Sequence, residues 1–329
     1  MELFELTKAL MQIPSPTGEE EKAVQFLKNY FQTSGFSVDL QKVEENRYNI
    51  YAKIGKPDIV FSTHIDTVKP LLVIKEDKYA IYGRGACDAK GVLAAQIKAV
   101  QKLVHSGWQN IGLLIVVGEE GGSDGAKAAN QIHNQCRFLI CGEPTDNKLA
   151  IGTKGAMRVE LKTQGKSGHS AHPELGESAI IRLLDILQDW RKLDYPADSI
   201  LGETTWNIGI IEGGTGANVI PDCARAEMMF RQVTDVTVIK ELLEKNIKEK
   251  SEIIYKFEAN PVRLNSVKGF DTTVVSFATD VPLLNNWGKP YLLGPGSILK
   301  AHTMEESILK KDLIQAVDLY CTLAHEVKG

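Results

Sequence analysis

The sequence reads as an α/β protein on a mixed sheet, interrupted by a smaller α+β sandwich. Three observations lead there. Residues 111–117 and 138–141 are short, unbroken apolar runs, as in strands covered on both faces by helices. Residues 157–163 instead alternate apolar and polar side chains, as a half-exposed strand does. After about residue 264 the short apolar runs resume, residues 290–294 among them, so the first architecture continues beyond the second. A chain of 329 residues is long enough for two domains.

In chain order, Ala23, Val24, Phe26, Leu27, Tyr30 and Phe31 recur at helical spacing over residues 19–34, and Gly35 stops the helix. Residues 48–54 and 58–63 are rich in β-branched and aromatic side chains and bounded by Gly or Pro, which predicts strands. Leu93, Ile97, Val100 and Val104 form one stripe of a helix over residues 92–105, with Gly107 beyond its end. The middle section predicts a strand at 157–163, an amphipathic helix at 177–193, strands at 206–211 and 224–230, and a helix at 234–247. Such a sheet leaves a face or an edge open for a partner. A final amphipathic helix is expected over residues 305–327. The implied divisions are 1–155, an inserted 156–263, and 264–329, with no internal repeat or low-complexity tract.

Composition narrows the function. Lys and Arg number 38 against 42 Asp and Glu, a net charge of −4, so there is no basic surplus for a phosphate backbone or an anionic bilayer. Nucleic acid and membrane are therefore not expected partners. The five cysteines are scattered and form no C-x-x-C pair, which reads as reduced thiols. The first ten residues carry Glu2 and Glu5 and lack a signal-peptide pattern, and no apolar stretch approaches the roughly 20 residues of a membrane span, so a cytoplasmic location is expected.

Chemistry gathers at predicted strand ends. His64 and Asp66 follow the strand at 58–63, Glu119 and Glu120 follow the one at 111–117, and Glu143 follows the one at 138–141. Open α/β sheets bind ligands at such carboxyl ends. Asp88 stands in the Gly-rich loop Gly83-Arg84-Gly85-Ala86-Cys87-Asp88, just before a helix. Each residue has a plainer reading: His64 with Asp66 as a structural pair, Asp88 as a helix cap, Glu119 and Glu120 as a solvated turn. A phosphate loop is a further alternative for the Gly-rich segment, but the Lys-Ser/Thr pair is missing. Convergence decides, because several carboxylates at one sheet mouth repel one another unless cations hold them. Carboxylates with imidazole and without thiolate suit Zn²⁺, Co²⁺ or Mn²⁺. With His302, in a second Gly-rich loop, a two-metal centre is conceivable: Asp88 between the ions, a Glu and a His on each side, Asp66 orienting His64, and Glu119 left as general base for the attacking water.

Thr63-His64-Ile65-Asp66-Thr67, Gly83-Arg84-Gly85-x-x-Asp88-x-Lys90-Gly91, Gly118-Glu119-Glu120, Gly142-Glu143-Pro144 and Ala301-His302 resemble, in order and spacing, the metal-ligand motifs of the co-catalytic zinc amidohydrolase family. That family includes acetylornithine deacetylase, succinyl-diaminopimelate desuccinylase, aminoacylase and several dipeptidases. The resemblance implies a zinc-peptidase-like catalytic domain with an inserted lid and dimerisation domain, and two divalent ions. It implies that His64 and Glu143 hold one metal, Glu120 and His302 the other, with Asp88 the bridge and a cis peptide at Asp88-Ala89. In the insert, Gly168-His169-Ser170-Ala171-His172-Pro173 looks like the family's lid histidine motif, His169 reaching a neighbouring subunit's site, and Asn218 and Arg231 resemble substrate holders, Arg231 for an α-carboxylate.

Within the family, Leu293-Gly294-Pro295-Gly296-Ser297-Ile298 and Gly85-x-Cys87-Asp88 look closer to acetylornithine deacetylase, and Gly296 joins Asn218 and Arg231 as a substrate-binding position. The expectation is a homodimeric hydrolase of N-acyl-L-amino acids, N-acetyl-ornithine or N-acetyl-citrulline of arginine biosynthesis first. The alternatives are N-succinyl-ornithine or N-succinyl-diaminopimelate, a carrier-protein conjugate of lysine, a dipeptide, and a catalytically dead binding protein.

Overall fold

The computed structural model describes residues 1–329 and divides into two compact units. The first comprises Met1–Ile151, Leu264–Thr273 and Thr279–Gly329; the second comprises Gly152–Arg263 with Val274–Ala278.

The sheet of the first unit runs Ser37–Glu44, Arg47–Ile54, Ile111–Val116, Ile59–His64, Phe138–Cys141, Lys289–Leu292 and Leu149–Thr153. Its four middle strands, Ile111–Val116 to Lys289–Leu292, are parallel, and antiparallel pairs flank them. Every residue of Ile59–His64 and Ile111–Val116 is buried, as their unbroken apolar character predicts. The Lys90–His105 helix packs on these strands and against the Leu3–Met11 and Lys310–Lys328 helices. It begins two residues earlier than its apolar stripe suggests and takes in Gly91, where a Cβ would sit 2.1 Å from the Ala86 carbonyl oxygen. Only glycine allows that approach.

Two expectations in this unit are corrected, and two elements were missed. His64 is the last residue of its strand and not a residue after it. The terminal helix starts at Lys310 because Ser307–Leu309 first pairs as a strand with Ala80–Tyr82. The Leu3–Met11 helix and the Ser37–Glu44 strand were not foreseen.

The second unit is a four-stranded antiparallel sheet, ordered Thr205–Gly213, Cys223–Arg231, Ala156–Gln164, Ser251–Ala259. Met157, Val159 and Leu161 alternate onto the face shared with Ala226, Met228 and Phe230. There they pack with Leu183, Ile186 and Trp190 of the Ala179–Trp190 helix and with Ile239 and Leu243 of Val236–Glu244. Ser178 and Asp235 cap these helices, accepting from the N–H groups of Ile181 and Thr237. Arg158, Glu160, Arg225 and Glu227 belong to the alternate positions and form ion pairs across strands. The Ser251–Ala259 strand was missed. It lies at an edge, and a bulge between Tyr255 and Phe257 breaks its alternation.

Candidate metal centre

The parallel strands end together, in register His64 with Val116 and Ser62 with Cys141, so the turns that follow them share one rim. His64 is 1% exposed. Its Nδ1 lies 3.0 Å from the Asp66 backbone oxygen and 3.4 Å from the Asp66 carboxylate, and its Nε2 lies 3.1 Å from Asp88 Oδ1. The Asp66 backbone carbonyl is thus the nearer tautomer-fixing acceptor, where the sequence suggested the carboxylate.

The buried Asp66 carboxylate accepts from the Thr17 hydroxyl at 2.7 Å and from the backbone N–H groups of Glu119 and Glu120 at 3.1 and 3.2 Å. Burial works to raise Asp66, yet His64, the Thr17 hydroxyl and the Glu119 N–H together hold it below the usual carboxylate range. Glu119 and Glu120 stand in a single turn, Glu119–Gly121, entered through Gly118 at φ +76°.

Asp88 does not cap the following helix, whose N-cap Ala89 has no side-chain cap. The Asp88-Ala89 peptide is cis. The backbone N–H groups of Cys87 and Asp88 donate to Glu306 at 3.3 Å, and Glu306 is gripped by Arg84 at 2.5 Å, both side chains being buried. His302, exposed and at φ +62°, sets Nε2 2.9 Å from Glu120 Oε1 and 3.3 Å from Asp88 Oδ2.

Two groups of donor atoms result, each with all atoms within 4.8 Å of one another: His64, Asp88 and Glu143, and Asp88, Glu120 and His302. Asp88 belongs to both. Burial first, then the neighbouring carboxylates, push Glu119 and Glu143 well above the usual range against the pull of His64. Asp88 and Glu120 raise His302 to about 10. Crowded carboxylates that disfavour one another's charge, with imidazole and no thiolate in either group, are a donor set that fits a pair of divalent ions.

Gly296, at φ +84°, lies against Cys87, where a Cβ would fall 2.7 Å from the Cys87 Cβ, and its carbonyl accepts from the Asp146 N–H at 2.8 Å. In the second unit His169 is exposed and pairs in register with Val219, while the Ser170 N–H donates to the Asn218 carbonyl at 3.0 Å. The His169 and Asn218 segments are thus neighbours. Arg231 ends its strand half-buried, and burial disfavours its charge. Sequence reading missed Thr17, Arg84, Glu306 and the buried Asp280. Arg84 lies inside a motif already singled out and Glu306 four residues beyond His302, a usable signal; Thr17 and Asp280 give none.

The family model described as "Peptidase dimerisation domain" matches residues 151–254. A peptidase M20 domain-containing protein of Schizosaccharomyces pombe is 39% identical, covering 97% of this chain and 83% of its own. A probable carboxypeptidase of Aspergillus clavatus is 34% identical, covering 98% and 88%. Among solved structures, a tripeptidase from Staphylococcus aureus shares the fold with a TM-score of 0.83 at 23% identity, covering 98% of each chain.

Proposed function

The chain belongs to the M20 peptidase family, and on that premise we propose that it hydrolyses the amide joining an acyl group to an amino acid whose α-carboxylate is free. The observation that carries this reading is the pair of donor groups sharing Asp88. His64 and Glu143 would hold one ion and Glu120 and His302 the other, with Asp88 shared between the two groups; zinc suits the set best, with cobalt or manganese next. Bound there, the ions supply Lewis acidity toward the scissile carbonyl and the attacking water. Glu119 takes the proton from that water and passes it to the leaving amine. Asp66 keeps His64 and the Glu119-Glu120 turn in place. His169 of a second copy donates to the carbonyl oxygen as charge develops. Arg231 and Asn218, with Gly296, take the substrate, Arg231 by the carboxylate.

The likeness of residues 293–298 and 85–88 to acetylornithine deacetylase supports acetyl-ornithine or acetyl-citrulline as substrate, in arginine biosynthesis. The relative named a probable carboxypeptidase supports a short peptide instead. Both share the free carboxylate on the amine side. Metal analysis joined to kcat/KM for acetyl-ornithine, acetyl-citrulline, their succinyl counterparts and unblocked dipeptides separates them. N-acyl amines lacking the carboxylate are expected to react at least about a hundredfold more slowly, about 3 kcal/mol in the transition state. Equal rates with and without the carboxylate would sink the reading.

A further inference from the structure

Behind the Gly83–Gly91 loop that carries Asp88, the first unit holds a separate cavity of about 470 Å³ that is open to solvent on one side. At about 30 Å³ each it has room for roughly fifteen waters. None of the metal-centre residues lines it. Lys8, Lys75, Arg84 and Lys90 do, and the only acid among the lining residues is Glu76. That carboxylate is already held by Lys8 at 2.7 Å and Lys310 at 2.8 Å.

The lining cations are unequally paired. Lys8 has Glu5 and Glu76, and Arg84 has Glu306. Neither Lys75 nor Lys90 has a carboxylate within ion-pair distance. Lys90 is 2% exposed, and its ammonium, with three hydrogens to donate, makes one hydrogen bond, to the Ile13 carbonyl at 2.6 Å. Two more buried groups among the lining residues lack partners, Arg84 Nη2 and Thr67 Oγ1. Unsatisfied buried donors are costly, and an acceptor removes that cost. Water would satisfy the hydrogen bonds and leave the charge, whereas an anion answers both. The remaining wall is the Gln12 amide and hydrocarbon from Met11, Pro14, Leu71, Leu72 and Ile74.

We propose that this cavity is a binding site for a small organic anion, one carboxylate or phosphate head on a short apolar body, distinct from the metal centre. The head meets Lys75, Lys90, Arg84 and Thr67, and the body lies on the Leu71–Ile74 side.

Calorimetry on the metal-loaded, full-length protein tests it with three probes of one chain length: hexanoate, hexyl phosphate and hexan-1-ol. Saturable binding of an anion and none of the alcohol is expected, and the tighter anion identifies the head group. Lys75→Glu removes an exposed, unpaired cation, and Leu71→Asp sets a repelling charge on a side chain 51% exposed, so neither disturbs the core. Each is expected to weaken the anion about tenfold or more, while circular dichroism stays unchanged. The proposal fails if neither anion saturates below about 10 mM, if the alcohol binds as well as the anions, or if both folded variants bind like the wild type.

Discussion

The Asp66 carboxylate gathers hydrogens from the Thr17 hydroxyl and from two successive backbone amides, and the second and third donors belong to Glu119 and Glu120. One side chain thereby fixes both the proposed base, Glu119, and a proposed metal ligand, Glu120, while its own backbone carbonyl sets the His64 ring. Replacing Glu119 by Gln keeps the backbone N–H that Asp66 accepts and removes only the basic oxygen. We expect metal content and fold to survive and kcat to fall by ~10²–10⁴ or more. A variant at full metal occupancy with a third of wild-type kcat would remove Glu119 from the role. His302 gives a second test. Hydrogen bonds to Asp88 and Glu120 raise it to about 10 in the metal-free protein, so near neutral pH it is imidazolium. A ligating imidazole must be neutral, so metal uptake should release a proton there, and affinity should climb with pH until about pH 10. Calorimetry in buffers of different ionisation enthalpy counts the proton; zero release contradicts the assignment of His302. Candidate ligands were legible because each sits in a short motif at a strand end or a Gly-rich loop. Thr17 and Asp280 were not, since a hydroxyl or carboxylate that acts only through a long-range contact leaves no local pattern.

Arg47 shows how the elements around the centre are tied. It begins the Arg47–Ile54 strand and forks onto Glu20, at 3.0 and 2.9 Å, which precedes the Glu21–Thr33 helix. It also pairs with Asp124, the first residue of the helix after the Glu119–Gly121 turn. Glu20 is 0% exposed. Arg47→Ala would leave that charge buried and unpaired, and such losses cost about 3–5 kcal/mol. Urea unfolding of wild type, Arg47→Ala and Arg47→Ala/Glu20→Gln measures it. The double variant should recover part of the loss, and a single variant within about 0.5 kcal/mol of wild type would make the cluster incidental. Elements with one covered face or two were readable from period. Ser251–Ala259 was lost to its bulge, and the Lys310 helix start was mistaken because Leu309, at the end of a strand, stands four residues before Leu313 of the helix's buried stripe.

At the scale of the whole molecule, the sheet order places two late pieces of chain beside early ones. Lys289–Leu292 pairs in parallel with Phe138–Cys141, and Ser307–Leu309 pairs with Ala80–Tyr82, so His302 returns to a rim built before residue 151. That return was foreseeable from the resumed apolar runs. The second unit, matched as a dimerisation domain, carries His169 exposed on a short strand, and its Thr205–Gly213 strand has an open edge with Ile210 41% and Ile211 51% exposed. An open strand edge with apolar side chains is a surface for a second copy. Pairing about a two-fold axis is reciprocal, so if one chain lends His169 to its neighbour it borrows the same residue back. His169→Ala and Glu119→Gln chains should each be nearly inactive as pure dimers. Mixed, a dimer of one each holds one site with Glu119 from the first chain and His169 from the second, complete, and one site with neither. Random exchange puts half of all dimers in that state, each with one of two sites working, so recovery of about a quarter of wild-type activity is expected. Subunit exchange is verified independently by mass, using isotope-labelled protein. Full exchange without recovery would mean that each chain uses its own His169, whereas a pure His169→Ala dimer that keeps wild-type activity would mean that His169 takes no part in the reaction.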